Sequence, residues 1–385
     1  MLLPDYTIFT NVVEMNPNQS KKMLPAFLRF SSWLYLSLLF FASCSSDFTK
    51  NLEAVPTAIA IPNQINVVAD DAIWNGPLGD SLRYYFSSAY PILPQPEPIF
   101  DLKHYTAEEI YAESVRRSRR SYLIFGNIQD TNSTTGEMIR RDLGTANVDR
   151  ARRDSSFNTT LARDKWAKGQ YVFYLFGNDD EQIVQNIRDN FSAIARRVND
   201  ADRGSLEATV YMEGENRKLI DEVRNTFGIS LRIPGDYFLA INENNTMWLR
   251  QETEFLSSNL FIYRLPYRDK SQFSKEGIKA IRDSLGLRYV SSEVEATYMR
   301  TNDVDLPMLT ETIDLNGNYA MEARGIWDIV NDYMGGPFLT YLILSPDNKE
   351  LIFIDGFVYA PGKKKRKYMQ RLEHVLSSFR FENTK

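Results

Sequence analysis

The sequence holds one cysteine and two histidines, His104 and His374. That scarcity excludes an intramolecular disulfide and any Cys/His metal cage. There is no loop with the ordered Asp/Asn spacing of an EF-hand, so no structural metal and no cofactor is expected. Positive charge is also in short supply, with 45 basic against 50 acidic residues and a formal charge of −5. A mildly acidic chain lacks the clustered cations that neutralise phosphates, and nucleic acid is set aside as a partner. Also missing are a Ser/His/Asp order, a GxSxG elbow, a phosphate-binding Walker loop and a dinucleotide fingerprint. No residue is assigned a catalytic role.

What the chain does have is 43% hydrophobic and 13% aromatic content over 385 residues. This is enough for a folded body of two or three units. The apolar run at 30–42 (FSSWLYLSLLFFA) follows Lys21, Lys22 and Arg29 and ends at Ser43-Cys44. At 13 residues it falls short of the roughly 20 that cross a bilayer as a helix, and it has the layout of a signal peptide. Ala42 and Ser43 before the single cysteine resemble a lipobox, with Phe41 standing where an aliphatic residue is usual. Residues 1–43 therefore read as a signal peptide, Met15 and Met23 offer later starts, and Cys44 is the lipid attachment site. The expected address is the cell envelope, with the membrane reached through the acylated cysteine.

Residues 44–62 carry little periodicity and read as a lipidated tether. Beyond it, strand-type runs occur at 64–69, 121–127 and 171–177, and a short helix is expected at 80–88. The intervening polar segment, with Arg140, Arg141, Arg150, Arg152 and Arg153, is expected to be exposed. Ile183, Ile187, Phe191, Ile194 and Val198 form one helical stripe behind Asp179 and Gln182, which are spaced as a capping box. A second helix carries Leu219, Ile220, Val223 and Phe227 and closes on Gly228. Strands follow at 229–233, 237–242, 247–251 and 259–265. A helix with Ile278, Ile281 and Leu285 is expected to stop at Gly286, and another spans 325–334. A hairpin pairs 338–344 with 351–358 across Ser345-Pro346-Asp347-Asn348, and a final helix covers 364–379.

Residues 171–198, 260–285 and 351–379 each read as strand, short loop and amphipathic helix. The expected class is therefore α+β, with antiparallel sheets covered by helices, in two or three decayed helix-strand-strand-helix modules. The corresponding spans are 63–205, 206–290 and 291–385.

Joined to the lipobox, Trp74-Asn75-Gly76-Pro77, the stretch from Tyr237 to Arg250 with Trp248-Leu249-Arg250, Met334-Gly335-Gly336-Pro337-Phe338 and Phe357-Val358-Tyr359-Ala360-Pro361 form a set. In these motifs the chain resembles an uncharacterised lipoprotein family of the Bacteroidetes group, a domain of unknown function. The resemblance covers nearly the whole mature chain. It implies an envelope address and supplies no catalytic or binding residue.

Three features invite an interaction. Trp74 offers an indole to a glycan or protein partner, or plugs the core beside a turn. Arg250, near Glu252 and Glu254, binds an anion or forms a cross-strand ion pair. Lys363, Lys364, Lys365, Arg366 and Lys367 stand at the start of the last helix, where cations are unfavourable by roughly 0.3–1 kcal/mol each. They form either a solvated tip or a contact for anionic lipid or a phosphorylated glycan. Met334-Gly335-Gly336-Pro337 follows a helix in this reading and acts as its stop. The function expected is non-catalytic binding or assembly in the envelope, with partners among envelope proteins, glycans and anionic lipid. The alternative is a carboxylate-dependent hydrolase of envelope glycan or peptidoglycan, for which Asp303/Asp305 and Glu252/Glu254 are the visible acidic pairs. Replacing Cys44 with Ala is expected to abolish incorporation of labelled fatty acid and leave an unprocessed precursor; labelling at the parent level would end the lipoprotein assignment.

Overall fold

The computed structural model describes residues 55–243 and 245–382. The expected signal peptide, Cys44 and most of the expected tether lie outside the described residues. Two sheets organise the rest. The first contains β1 (Gln64–Val68), β2 (Asp101–Tyr105), β3 (Ser121–Asn127), β4 (Thr159–Arg163) and β5 (Tyr171–Gly177), in the order β2-β1-β3-β5-β4. Four of these strands are parallel and only β4 runs against its neighbour.

That arrangement accounts for the unbroken apolar runs in β3 and β5, which must bury both faces. Leu123, Phe125, Phe173 and Leu175 meet α2 (Pro77–Phe86) and α6 (Asp180–Val210) on one side. Tyr122, Ile124, Val172 and Tyr174 meet α3 (Ala107–Ala112), α4 (Thr134–Leu143) and α5 (Thr145–Arg153) on the other. The polar segment between β3 and β5 thus departs from the expectation of exposure. Met138, Ile139, Val148 and Ala151 are buried, and its arginines cover the outer faces of amphipathic helices. The short α1 (Asp71–Trp74) abuts α2 so closely that a side chain on Gly79 would stand 1.9 Å from the Trp74 carbonyl.

The second sheet is antiparallel throughout. It contains β7 (Phe238–Glu243), β8 (Thr246–Thr253), β9 (Leu256–Pro266), β10 (Tyr298–Asn302), β12 (Asn318–Val330), β13 (Gly335–Leu344) and β14 (Glu350–Tyr359), in the order β10-β12-β13-β14-β9-β8-β7. The eighth strand, β11 (Leu309–Leu315), pairs with β12. The expected hairpin is present, with Phe338 opposite Phe357 and Leu344 opposite Leu351. Strands β9 and β14 pair directly, so the spans 206–290 and 291–385 build one sheet together. Helices α7 (Arg217–Phe227) and α9 (Arg366–Leu376) cover one face, over Ile352 and Ile354. Helix α8 (Lys275–Tyr289) covers the other, over Phe353 and Phe357. The two-residue strands β6 (Ile229–Ser230) and β15 (Arg380–Phe381) pair beside them. The architecture is α+β with an antiparallel sheet covered by helices, the mainly parallel first sheet being the exception.

Several helix ends follow their signals. Asp179 accepts the Gln182 N–H at 2.8 Å at the start of α6, and Gly228 closes α7 with φ of 67°. Three further expectations fail. Residues 325–330 belong to β12 rather than to a helix, because β-branched Ile326, Ile329 and Val330 and the aromatic Trp327 suit a sheet buried on both sides. The stretch Gly335-Gly336 accordingly opens β13 instead of ending a helix, and a side chain on Gly336 would reach 1.9 Å from the Val358 carbonyl. Helix α8 also continues past Gly286, whose missing side chain admits the Met299 carbonyl, 2.3 Å from where a Cβ would lie.

A fully buried ion pair fixes α8 to the sheet. The Arg282 Nε lies 3.2 Å from Asp355 on β14, and its guanidinium stands 3.8 Å over the Phe338 ring. Thr340 donates to the same carboxylate at 2.5 Å. Burial pushes the Asp355 carboxyl upward, with Arg282 and Thr340 opposing. Replacing Arg282 with Met strands a buried carboxylate and is expected to cost about 3–5 kcal/mol in urea unfolding. The triple variant Arg282→Met, Thr340→Val, Asp355→Leu should recover most of that loss, because it removes the stranded carboxylate and the Thr340 hydroxyl that donates to it. A triple variant no more stable than the single would show that the pair itself holds α8.

Candidate functional site

A cleft of about 1290 Å³ opens where α6 of the first half faces β11, β12 and α9 of the second. Its base is tied by side chains that cross the seam. Asn63 and Gln370 exchange amide hydrogen bonds of 2.8 and 2.9 Å. The Asn63 N–H is donated to Asp202 on α6 at 2.9 Å. Burial raises the Asp202 carboxyl, with that N–H and Arg120 acting against it.

The wall formed by the second half carries a charged cluster. Arg324 on β12 donates to Glu322 at 2.5 Å and to Glu373 on α9 at 2.6 Å. The Tyr90 hydroxyl donates to the other oxygen of Glu373 at 3.0 Å. Burial opposes the charge of Arg324, but Glu373 and Glu322 outweigh it and keep the guanidinium ionised. Burial and the neighbouring carboxylates push the Tyr90 and Tyr341 phenols upward, so both stay protonated donors. Burial lowers His374, which keeps this cleft residue neutral more readily than a free imidazole.

The cluster bears on the hydrolase alternative. Acid–base hydrolysis requires one carboxylic acid kept protonated beside one carboxylate. Here a single arginine is hydrogen-bonded to both Glu322 and Glu373, so the same cation engages both carboxylates. Among the described residues, no group of three or more His, Cys, Asp or Glu side chains is placed to hold a metal ion. The cleft offers instead hydroxyl and amide groups, the cations Arg203, Arg232 and Arg380, and the apolar Ile99, Leu206 and Leu309. Along one wall runs β11, which pairs with β12 on one side only.

The residues singled out from sequence lie elsewhere. Trp74 is half-buried, stacked on His104 with centroids 4.8 Å apart, and Arg83 lies 4.6 Å over its ring. Its indole faces are thus engaged within the protein. Arg250 lies over Trp248 at 4.8 Å and pairs with Glu252 along the same strand. Asp305 accepts from Asn302 at 2.7 Å, and Asp303 lies 3.9 Å from Lys279. Neither acidic pair lines the cleft.

The five cations at the start of α9 are divided by the fold. Lys365 and Arg366 are buried, and the Glu97 carboxylate accepts both of their backbone N–H groups. Arg366 also reaches Asp101 at 2.5 Å, while Lys363 lies 4.4 Å over Phe255. An acid therefore occupies the helix N-terminus after all, supplied from the other half of the protein. Lys363, Lys364 and Lys367 remain exposed.

Sequence reasoning missed Tyr90, Glu322, Arg324 and Glu373. Glu322 and Arg324 stand two apart, on one face of a strand, a signal visible only once 318–330 is read as a strand.

No curated protein matches the chain. Among solved structures, it is similar to the Saccharomyces cerevisiae Ran-binding protein Mog1p, at 15% identity and a TM-score of 0.28 over 41% of this chain and 92% of that one. It is also similar to human STARD10, at 10% identity and a TM-score of 0.19 over 42% of this chain and 74% of that one. Likenesses this faint leave the function to be argued from the chain itself. Two family descriptions match in sequence. Residues 58–211 match Domain of unknown function (DUF8532), which takes in the five-stranded sheet, and residues 216–378 match Domain of unknown function (DUF4837), which takes in the eight-stranded sheet. A DUF4837 domain is therefore present in this chain, and its start falls between α6 and α7.

Proposed function

We propose that the protein is a non-catalytic lipoprotein of the bacterial cell envelope, held by acylated Cys44, whose cleft binds an extended polypeptide segment of an envelope protein. The observation that carries this reading is the position of β11 along a cleft wall. Its outer edge leaves main-chain N–H and C=O groups to pair with a strand from elsewhere. Side chains from Leu206, Leu309 and Ile99 give such a segment apolar contact, and the hydroxyl and amide groups opposite give it polar partners. The lipobox and the resemblance to Bacteroidetes lipoproteins support the envelope address. Glu322 and Glu373 are both committed to Arg324, which favours binding over hydrolysis by that pair.

The test is a selection of random extended peptides against the soluble body, residues 45–385. Peptides that bind are expected to lose affinity at least about ten-fold when Leu309 becomes Arg, a change that fills the cleft beside the edge strand. Leu287→Arg, at an exposed helix position, should leave binding intact. Selected peptides indifferent to Leu309→Arg would overturn the assignment of the cleft. Release of sugars from purified peptidoglycan, lost in Glu322→Gln or Glu373→Gln, would replace binding by hydrolysis.

A further inference from the structure

The described chain enters the first sheet as a strap from Pro56 to Asn63, laid beneath the N-terminal ends of β3 and β5. The Pro56 carbonyl accepts from Lys168 at 2.8 Å, Ala58 donates to the Lys168 carbonyl at 2.8 Å, and Ile59 donates to Ser118 at 2.7 Å. Gln170, buried between these partners, donates to the Arg119 carbonyl at 2.8 Å. The loop 164–170 and the segment 114–120 are thereby held on either side of the strap.

The side chains gathered there are cationic. Arg163 and Lys168 are exposed, Arg117 and Arg119 are half-buried, and none of the four has a carboxylate partner among the described residues. Most of the nearby acids are paired with other cations, and Asp164 is the exception. Glu109 and Glu113 hold Arg116 at 3.3 and 2.8 Å, Asp142 holds Lys165 at 2.7 Å, and Asp164 accepts the Gly169 N–H at 2.5 Å. Two apolar side chains project from the same segments, Ile59 at 49% exposure and Val115 at 63%. Cations without a carboxylate partner beside exposed aliphatic groups have the composition of a surface that rests on lipid, although Arg117 and Arg163 also lie over Tyr111 and Tyr171 at 5.9 and 5.0 Å.

Where the chain leaves this patch identifies the occupant. Pro56 is twelve peptide steps from Cys44, a span of at most about 40 Å however those residues are arranged. We infer that the face around the strap, carrying Arg117, Arg119, Arg163 and Lys168 with Ile59 and Val115, lies against the anionic lipid headgroups of the membrane in which the chain is anchored. This contact would fix the body's orientation on the membrane. The inference rests on the lipid-anchor reading of Cys44 and replaces the start of α9 as the lipid-facing cation cluster, since Lys365 and Arg366 are consumed there within the fold.

Because Cys44 is the single cysteine, the chain from Cys44 onward can be coupled through its thiol to a maleimide lipid in vesicles. That coupling replaces cellular acylation, so its result is independent of whether the cell lipidates Cys44. Phosphatidylcholine vesicles with and without phosphatidylglycerol are compared, and lysine reactivity toward an amine-acylating reagent is read by peptide mass spectrometry. Lys168 is expected to lose at least about five-fold in reactivity on the anionic vesicles, and to regain it at high salt. Lys270 and Lys349 should be unchanged. The surface variant Arg117→Gln, Arg119→Gln, Arg163→Gln should abolish the protection of Lys168. Equal reactivity of Lys168 on both vesicles would overturn the inference, as would protection confined to Lys363, Lys364 and Lys367. Failure of Cys44 to take up fatty acid in cells would instead remove the anchor on which it rests.

Discussion

Glu97 joins the two halves of this protein at the place where each needs the other. Helix α9 packs on the second sheet but begins with cations and with N–H groups that have no partner of their own. The buried carboxylate of Glu97, from the connection leading into β2, accepts two of those groups. Nearby, Asp101 takes the side chain of Arg366, and Asn63 exchanges amide bonds with Gln370 on the same helix. With α9 held in this way, Glu373 is positioned toward Arg324 and one wall of the cleft is set.

The two sheets reach burial by different means. In the first, parallel strands are covered by helices on both faces and carry continuous apolar runs. In the second, alternation along β14 sends Ile352 and Ile354 toward α9 and Phe353 and Phe357 toward α8. The pair Asp355–Arg282 follows the same alternation onto the α8 face, where it ties helix to sheet at the cost of burying two charges. Close backbone approach is the other device. Gly286 and Gly336 stand where any side chain would collide with a carbonyl of an adjacent strand, so their role is packing rather than helix termination.

Charge is distributed with similar economy around the cleft. Arg324 serves two carboxylates, and Tyr90 and Tyr341 remain protonated beside them. Such a wall is preorganised and water-accessible, suited to hydrogen bonding with a ligand. Two of its carboxylates, Glu322 and Glu373, share Arg324 as their hydrogen-bond donor.

Much of the local structure was legible in the sequence because periodicity and capping act over a few residues. The stripe from Ile183 to Val198, the Asp179 cap, the Gly228 stop and the hairpin through Ser345-Pro346-Asp347-Asn348 each state their own geometry. The run at 325–330 was not legible, since six residues rich in Ile, Val and Trp fit a helix or a strand equally well until a neighbouring strand is present. The parallel pairing of the first sheet was also hidden, because hydrogen-bond partners are chosen between distant segments. The same limit governs the site. Tyr90, Glu322, Arg324 and Glu373 come from three remote parts of the chain, and Lys365 and Arg366 looked free until Glu97 and Asp101 met them. By itself the sequence determined those helices and strands whose periodicity and caps are local, and set Cys44 apart from the rest of the chain; only the tertiary structure decided which charges are paired, because pairing is a distance in space that no spacing along the chain records.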